Sequence, residues 1–442
     1  MVDLDRELRA LDHLPAPDVA DEIQRRRSLP PSDEPSPFAR ARVARAALIA
    51  TVTVICLIAG GLVWQGFAPN GDAPATTPTS APTPSDPLAN ISEGWTDLPK
   101  PPTTAEVFTT VWARDRLILW GGIDPSKEPA DDGRVLGEGW SFDPRTSRWT
   151  SIAPAPISRY WATAAWTGSE VLVWGGSEGD DPRMDGAAYD PMTDTWTTIA
   201  AAPIAPRDPA VVSWTGTELL IWGGGDADAP HLDGAAYDPA DDSWRALPDA
   251  PIGMNLADAA WTGRHLVILG SLLDRGNHAT TRSAQAIAYD PTSDIWRLLP
   301  EPGLSPQASA VAAVGSFVYA FDYVHDAALL DAENDLWLPL ADVPSEPSEC
   351  YVDAASVAPS SFDDAGVFAW SCGNAALFDV SDGVWHIVAT MREATDFVTG
   401  KPVISADDVI FVLGHSVTEY QGETCRGCPG APVIFRAYRP PG

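Results

Sequence analysis

The sequence is short of positive charge. Lys and Arg number 28 against 61 Asp and Glu, a formal net charge of −33 over 442 residues. Residues 1–45 hold 9 of the acids and 8 of the basic residues, so the rest sets 52 acids against 20 Lys and Arg. Such a surface repels phosphate backbones, which excludes nucleic acid as a partner. There is no serine-nucleophile elbow and no phosphate-binding glycine loop. Paired glycines do occur, but they follow apolar strand-like runs and do not open helices, so they are not dinucleotide fingerprints. The acidic loops lack the ligand spacing of an EF-hand, and solvated charge is the simpler reading of them. Cysteine is scarce, five in the whole chain. The Cys425-Arg-Gly-Cys428 pair has no second ligand pair to complete a zinc site.

Long apolar runs are missing too, with one exception. Residues 46–67, AALIATVTVICLIAGGLVWQGF, carry no charge and no polar face. A helix of that length, at roughly 1.5 Å per residue, spans a bilayer core of about 30 Å. Arg40, Arg42 and Arg45 precede it directly, with Arg25, Arg26 and Arg27 further upstream. Basic flanks stay in the cytoplasm, which predicts a cytoplasmic N-terminus and an extracytoplasmic C-terminal part. The run exceeds a signal-peptide core and lies far from the start, so an uncleaved signal anchor is expected at the cell membrane. Cys56 within it reads as a small apolar residue.

Residues 1–45 are too few to form a core of their own and read as a cytoplasmic tail. The tail resembles those of some actinobacterial membrane proteins, including certain anti-sigma factors, without their zinc-ligand cluster; a plain topogenic tail is the other reading. Residues 68–92, rich in Pro, Ala, Thr and Ser, read as an extended stalk.

The remainder, 93–442, repeats. Gly175 to Trp196 reads GGSEGDDPRMDGAAYDPMTDTW, and Gly223 to Trp244 reads GGGDADAPHLDGAAYDPADDSW. Tryptophans at 95, 149, 196, 244, 296, 337 and 385 keep a period near 50 residues, the length of a propeller blade. An aromatic–Asp turn sits seven residues before the Trp in Phe142-Asp143, Tyr189-Asp190, Tyr237-Asp238, Tyr289-Asp290 and Phe378-Asp379, and decays to Leu330-Asp331 in the fifth unit. Hairpin turns at Thr167-Gly168, Thr215-Gly216 and Thr262-Gly263 separate short apolar strands. Paired glycines, a tyrosine and a spaced tryptophan resemble the kelch repeat, as in the central domain of galactose oxidase. The resemblance covers about 95–438 and implies an all-β, seven-bladed propeller. The last unit offers strands at Pro402–Ser405, Val409–Leu413 and Val433–Tyr438, one short of a blade. The Trp95 strand should complete it and close the ring.

In such a blade the loop leading into the first strand and the loop joining second to third share one face. By resemblance that face binds ligands, which makes Arg159, Tyr160, Trp161 and Arg207 the candidate contacts; bracing of neighbouring loops is the alternative for the arginines. The variable acidic loops Ser177–Asp185 and Gly225–Asp233 lie beside them. Copper chemistry needs clustered imidazoles, whereas His231, His265, His278, His325, His386 and His415 are scattered over several units with no repeat-equivalent pair. No catalytic set, metal or cofactor is assigned. The expected role is recognition of a cell-envelope protein or glycan. A mutarotase-like carbohydrate enzyme, needing only an acid and a base in a pocket, and a transmembrane sensor whose tail binds a regulator remain alternatives. On the oxidising side, Cys350–Cys372 and Cys425–Cys428 are the expected disulfides.

Overall fold

Alternating apolar runs broken by glycine turns give strands of two to ten residues, and the longer ones assemble into a ring of antiparallel sheets. The computed structural model describes residues 86–439, apart from 128–133, 180, 208–210, 226–229, 274–280, 306–307, 323–325, 344–352, 358–365, 372–373, 380–382, 389–394, 397–402, 407–408, 417, 421–422 and 426–432. Blade 1 is Thr109–Ala113, Arg116–Trp120, Gly139–Asp143 and Arg148–Ser151. Blade 2 is Thr163–Trp166, Val171–Trp174, Gly186–Asp190 and Thr195–Thr198. Blade 3 repeats the pattern from Val211–Trp214 to Ser243–Ala246, blade 4 from Asn255–Trp261 to Ile295–Leu298. Blades 5 and 6 run from Ala308–Val314 to Leu336–Pro339 and from Asp353–Val357 to Val384–Val388.

Blade 7 joins the two ends of the described chain. Gly94–Asp97 pairs antiparallel with Val433–Arg439, which pairs with Val409–Ser416, and that strand takes Val403–Ala406 on its other side. Each innermost strand touches the next, and Thr109–Ala113 of blade 1 touches Val403–Ala406 of blade 7. The expected closure and blade count therefore hold. Packing reaches back further than the Trp95 strand: Leu88 and Ile91 are buried with Phe108, Phe142 and Phe435 in the cluster between blades 7 and 1.

The repeated residues explain how blades stack. The second strands of blades 2 and 3, Val171–Trp174 and Leu219–Trp222, are buried throughout. Except in blade 5, where Trp337 stands opposite Leu330, each fourth-strand Trp packs on its own blade's tyrosine or phenylalanine, with ring centroids 5.0 Å apart for Tyr189–Trp196 and Tyr237–Trp244. Its indole N–H then donates to a carbonyl just past the outer strand of the preceding blade. Trp149 reaches Pro99, Trp196 reaches Ala153, Trp244 reaches Ala200, Trp296 reaches Pro248, Trp337 reaches Pro300 and Trp385 reaches Ala341, all at 2.7–2.8 Å. A second link runs through an aspartate five residues after the tyrosine. Asp194 accepts from the Tyr189 hydroxyl and from the Ala153 N–H of blade 1, at 2.9 and 2.8 Å. Asp242 does the same with Tyr237 and Ala200.

Among the described residues no helix is long and apolar enough to cross a membrane. The tail, the expected span at 46–67 and residues 68–85 lie outside the described residues, as do Cys350, Cys372 and Cys428 of the two expected disulfides.

Candidate functional site

In blades 1 and 2 the loop leading into the first strand crosses the end of the second, and the double glycine makes room for it. In blade 2, Tyr160 and Ser177 exchange backbone hydrogen bonds of 3.1 and 2.9 Å just beyond Gly175-Gly176. A Cβ on Gly176 would stand 2.5 Å from the Tyr160 carbonyl, and its φ is +72°. Only glycine fits that approach in that conformation.

The two arginines singled out in the sequence are buried under this crossing. Arg159 is 4% exposed. One of its terminal nitrogens meets both Asp185 oxygens at 2.7 and 2.9 Å, and the other donates to the Ser158 carbonyl at 2.7 Å and to Glu178 at 3.3 Å. Glu178 also takes Arg183, at 2.6 Å. In blade 3 Arg207 meets the two Asp233 oxygens at 2.9 and 3.0 Å and donates to the Ala205, Gly223 and Asp233 carbonyls. The hydrogen bond from Arg207 holds the Asp233 carboxyl below the ordinary carboxylate range, against desolvation. Both arginines brace the loop leading into a blade against the loop joining its second and third strands. Neither guanidinium is presented to solvent, so the bracing alternative describes their geometry.

Tyr160 and Trp161 behave differently. The Tyr160 hydroxyl donates to the Gly179 carbonyl at 2.5 Å, and its ring lies 5.1 Å from that of Trp161. Trp161 is 52% exposed, and its backbone is left-handed, φ 54°. That conformation is unusual for a bulky residue and is held here by the surrounding loops. Its N–H donates to the Val107 carbonyl at 3.4 Å, and Val107, two residues after Ala105 as Trp161 is two after Arg159, is itself left-handed at φ 57°. The structure thus brings Arg159, Tyr160 and Trp161 together in one braced loop, with Arg207 in the equivalent loop of the next blade. The acidic loops beside them include residues 180 and 226–229, outside the described part.

A pocket of about 480 Å³ opens on the same face of blade 1, lined among others by Ala105, Asp124, Leu136, Glu138 and Trp140. Sequence reasoning passed over it because blade 1 lacks the arginine that marks blades 2 and 3. The signal was an absence, an alanine at the arginine's place in the register. Among the described residues no group of three or more His, Cys, Asp or Glu is gathered for a metal ion.

Seven four-to-five-stranded blades with Trp staples between them form a seven-bladed β-propeller, and double glycines end the second strands of blades 1 to 3. Residues 107–321 match the KLHDC2/KLHL20/DRC7 Kelch-repeats domain, ending in blade 5 where the double glycine has already been lost. No curated protein matches the chain. Solved structures that match include one titled "Structure of YjhT", at 12% identity and a TM-score of 0.46 over 77% of this chain and 95% of that one.

Proposed function

We propose that the chain is a membrane-anchored recognition protein whose propeller stands outside the cell and binds a cell-envelope protein or glycan through the braced-loop face. A kelch propeller is typically a protein-binding scaffold, and the observation that carries the reading to this face is the Tyr160–Trp161 pair. A tryptophan half out in solvent, on a left-handed backbone beside the buried, ion-paired Arg159, offers a large apolar surface with little conformational entropy left to lose. Aromatic anchors of this kind dominate protein interfaces and also stack on sugar rings. The uncharged run at 46–67 with its basic N-terminal flank supports the anchored, outward orientation.

A benzophenone amino acid placed at 161 in the full chain, illuminated on intact cells, is the test. Adducts should form from position 161 and be removed by protease added outside the cells. The same probe at Ile387, 67% exposed on the outer strand of blade 6, should not give them. Identical adducts from both positions, none from 161, or adducts resistant to external protease would overturn the proposal.

A further inference from the structure

Blade 1 departs from blade 2 in a way that leaves acidic groups without their cation. Glu106 bridges Ile123 as Tyr160 bridges Ser177, which sets Ala105 at the place of Arg159. The Gly121 N–H donates to the Glu138 carbonyl as the Gly175 N–H donates to that of Asp185, which sets Glu138 at the place of Asp185. One residue past the bridge, Asp124 stands where Glu178 stands. Both carboxylates that receive the Arg159 guanidinium in blade 2 therefore have a carboxylate counterpart in blade 1, and the arginine is replaced by alanine. Arg183, the second cation on Glu178, is replaced by Leu136, since the Leu136 and Arg183 carbonyls accept equivalent bonds from the Arg159 and Arg207 N–H groups.

The place that Arg159 fills in blade 2 is the pocket of about 480 Å³ in blade 1. Glu138 is exposed at its mouth, and no described residue donates to its carboxylate. Asp124 is partly served. Ser126 donates to it through N–H and hydroxyl at 3.0 and 2.6 Å, and with Lys127 and Arg134 nearby its carboxyl lies below the usual range. Trp140, half-buried at the wall, adds an aromatic surface of the kind that cations favour.

We propose that this pocket is a receptor for a guanidinium group supplied from outside the chain, Glu138 taking it as Asp185 takes Arg159, with Asp124 and Trp140 at its sides. A planar guanidinium matches a carboxylate in a two-pronged pair that an ammonium does not reproduce. The chain itself shows which group fits, because blades 2 and 3 seat their own arginines against the equivalent carboxylates. The source is the arginine side chain of a bound protein or a small guanidinium compound. The inference rests on the face reading above only for that source.

Calorimetric titration of the full chain with Nα-acetyl-arginine amide, its citrulline counterpart and a Gly-Gly-Arg-Gly-Gly peptide tests it. The arginine amide should bind saturably and the citrulline amide at least about tenfold more weakly. Glu138→Gln should weaken binding about tenfold or more with melting unchanged, since the residue is exposed. Ala105→Arg should abolish binding by filling the pocket from within and leave melting unchanged or raised. Trp161→Ala should leave amide binding intact, which separates this pocket from the aromatic anchor. Peptide binding equal to that of the amide assigns the pocket to a protein's arginine; amide binding with the peptide excluded assigns it to a small guanidinium compound. No saturable binding up to about 10 mM, equal binding of citrulline, or binding indifferent to Glu138→Gln would overturn the proposal.

Discussion

Arg207 shows how much one side chain does in a loop without regular structure. Its guanidinium is fully buried, yet it serves Asp233 and three backbone carbonyls at once. Among the described residues the buried Gly223 carbonyl would otherwise lack a donor, a costly arrangement in a folded protein, and the Asp233 carbonyl would keep only the Gly223 N–H at 3.3 Å. Removing Asp233 leaves the cation buried with carbonyls alone. Loss of one partner of a fully buried pair costs about 3–5 kcal/mol, and Asp233 is 37% exposed, so Asp233→Asn should cost about 2 kcal/mol at neutral pH. The pH dependence has a defined sign. The Asp233 carboxyl is depressed in the fold by Arg207, so its stabilisation is complete above the unfolded value near 4 and is lost as pH falls through the lower folded value. Melting curves should show the wild type losing more stability than Asp233→Asn as the solution is acidified below about pH 4. Parallel acid limbs would show that the pair does not stabilise the loop.

At the scale of the element, the double glycine is a docking device, and its two residues are not equivalent. Gly176 and Gly223 share φ +72°, but a Cβ on Gly176 would meet the Tyr160 carbonyl at 2.5 Å and the Ala162 nitrogen at 2.7 Å, while no described atom lies within 4 Å of one on Gly223. Gly223→Ala should therefore cost about 1 kcal/mol, the left-handed backbone penalty alone. Gly176→Ala should cost about 3 kcal/mol, adding overpacking against backbone that has nowhere to move, and should shift the Trp161 fluorescence. Equal losses in urea titrations would mean the leading loop does not depend on the close approach.

The repeat spacing made strand order, hairpin turns and the Tyr-to-Trp interval legible, because these are local and recur. The indole-to-carbonyl staples and the Asp194 and Asp242 links were not, because their partners lie 37–50 residues away in another blade. The same limit applies to the site. Arg159 and Arg207 could be picked out as equivalent residues, but their burial depends on Asp185 and Asp233, each 26 residues on. Tyr160 and Trp161 were recognisable by type, whereas the left-handed turn that puts Trp161 into solvent carries no glycine to announce it.

For the whole molecule, stability hinges on how the ring closes. A propeller built wholly from consecutive repeats would leave its first and last sheets meeting only through side chains. Here the first of the described strands, four residues long, belongs to the last blade, so main-chain hydrogen bonds tie the N-terminal end of the propeller to its C-terminal end. Gly94–Asp97 runs in register with Arg439 to Arg436. The lock extends beyond the ladder: the Leu98 N–H donates to the Phe435 carbonyl at 2.9 Å, Arg439 to the Ile91 carbonyl at 2.6 Å, and Arg436 pairs with Asp97 at 2.5 Å. Trp95 packs on Tyr438 and Phe368, 5.2 and 6.5 Å between centroids, bridging blades 7 and 6. Removing residues 93–99 exposes the Val433–Arg439 edge and undoes these contacts together, so it should cost more than about 5 kcal/mol and lower the melting temperature by upward of about 10 °C. Trp95→Ala, which keeps the strand and removes the bridge, should cost about 3 kcal/mol and speed amide exchange across 433–439 while leaving blade 3 protected. Exchange that rises equally in blades 3 and 7 would mean the ring opens as one unit. Unchanged melting of the deletion would mean the first strand is an ornament on a ring already closed by its side chains.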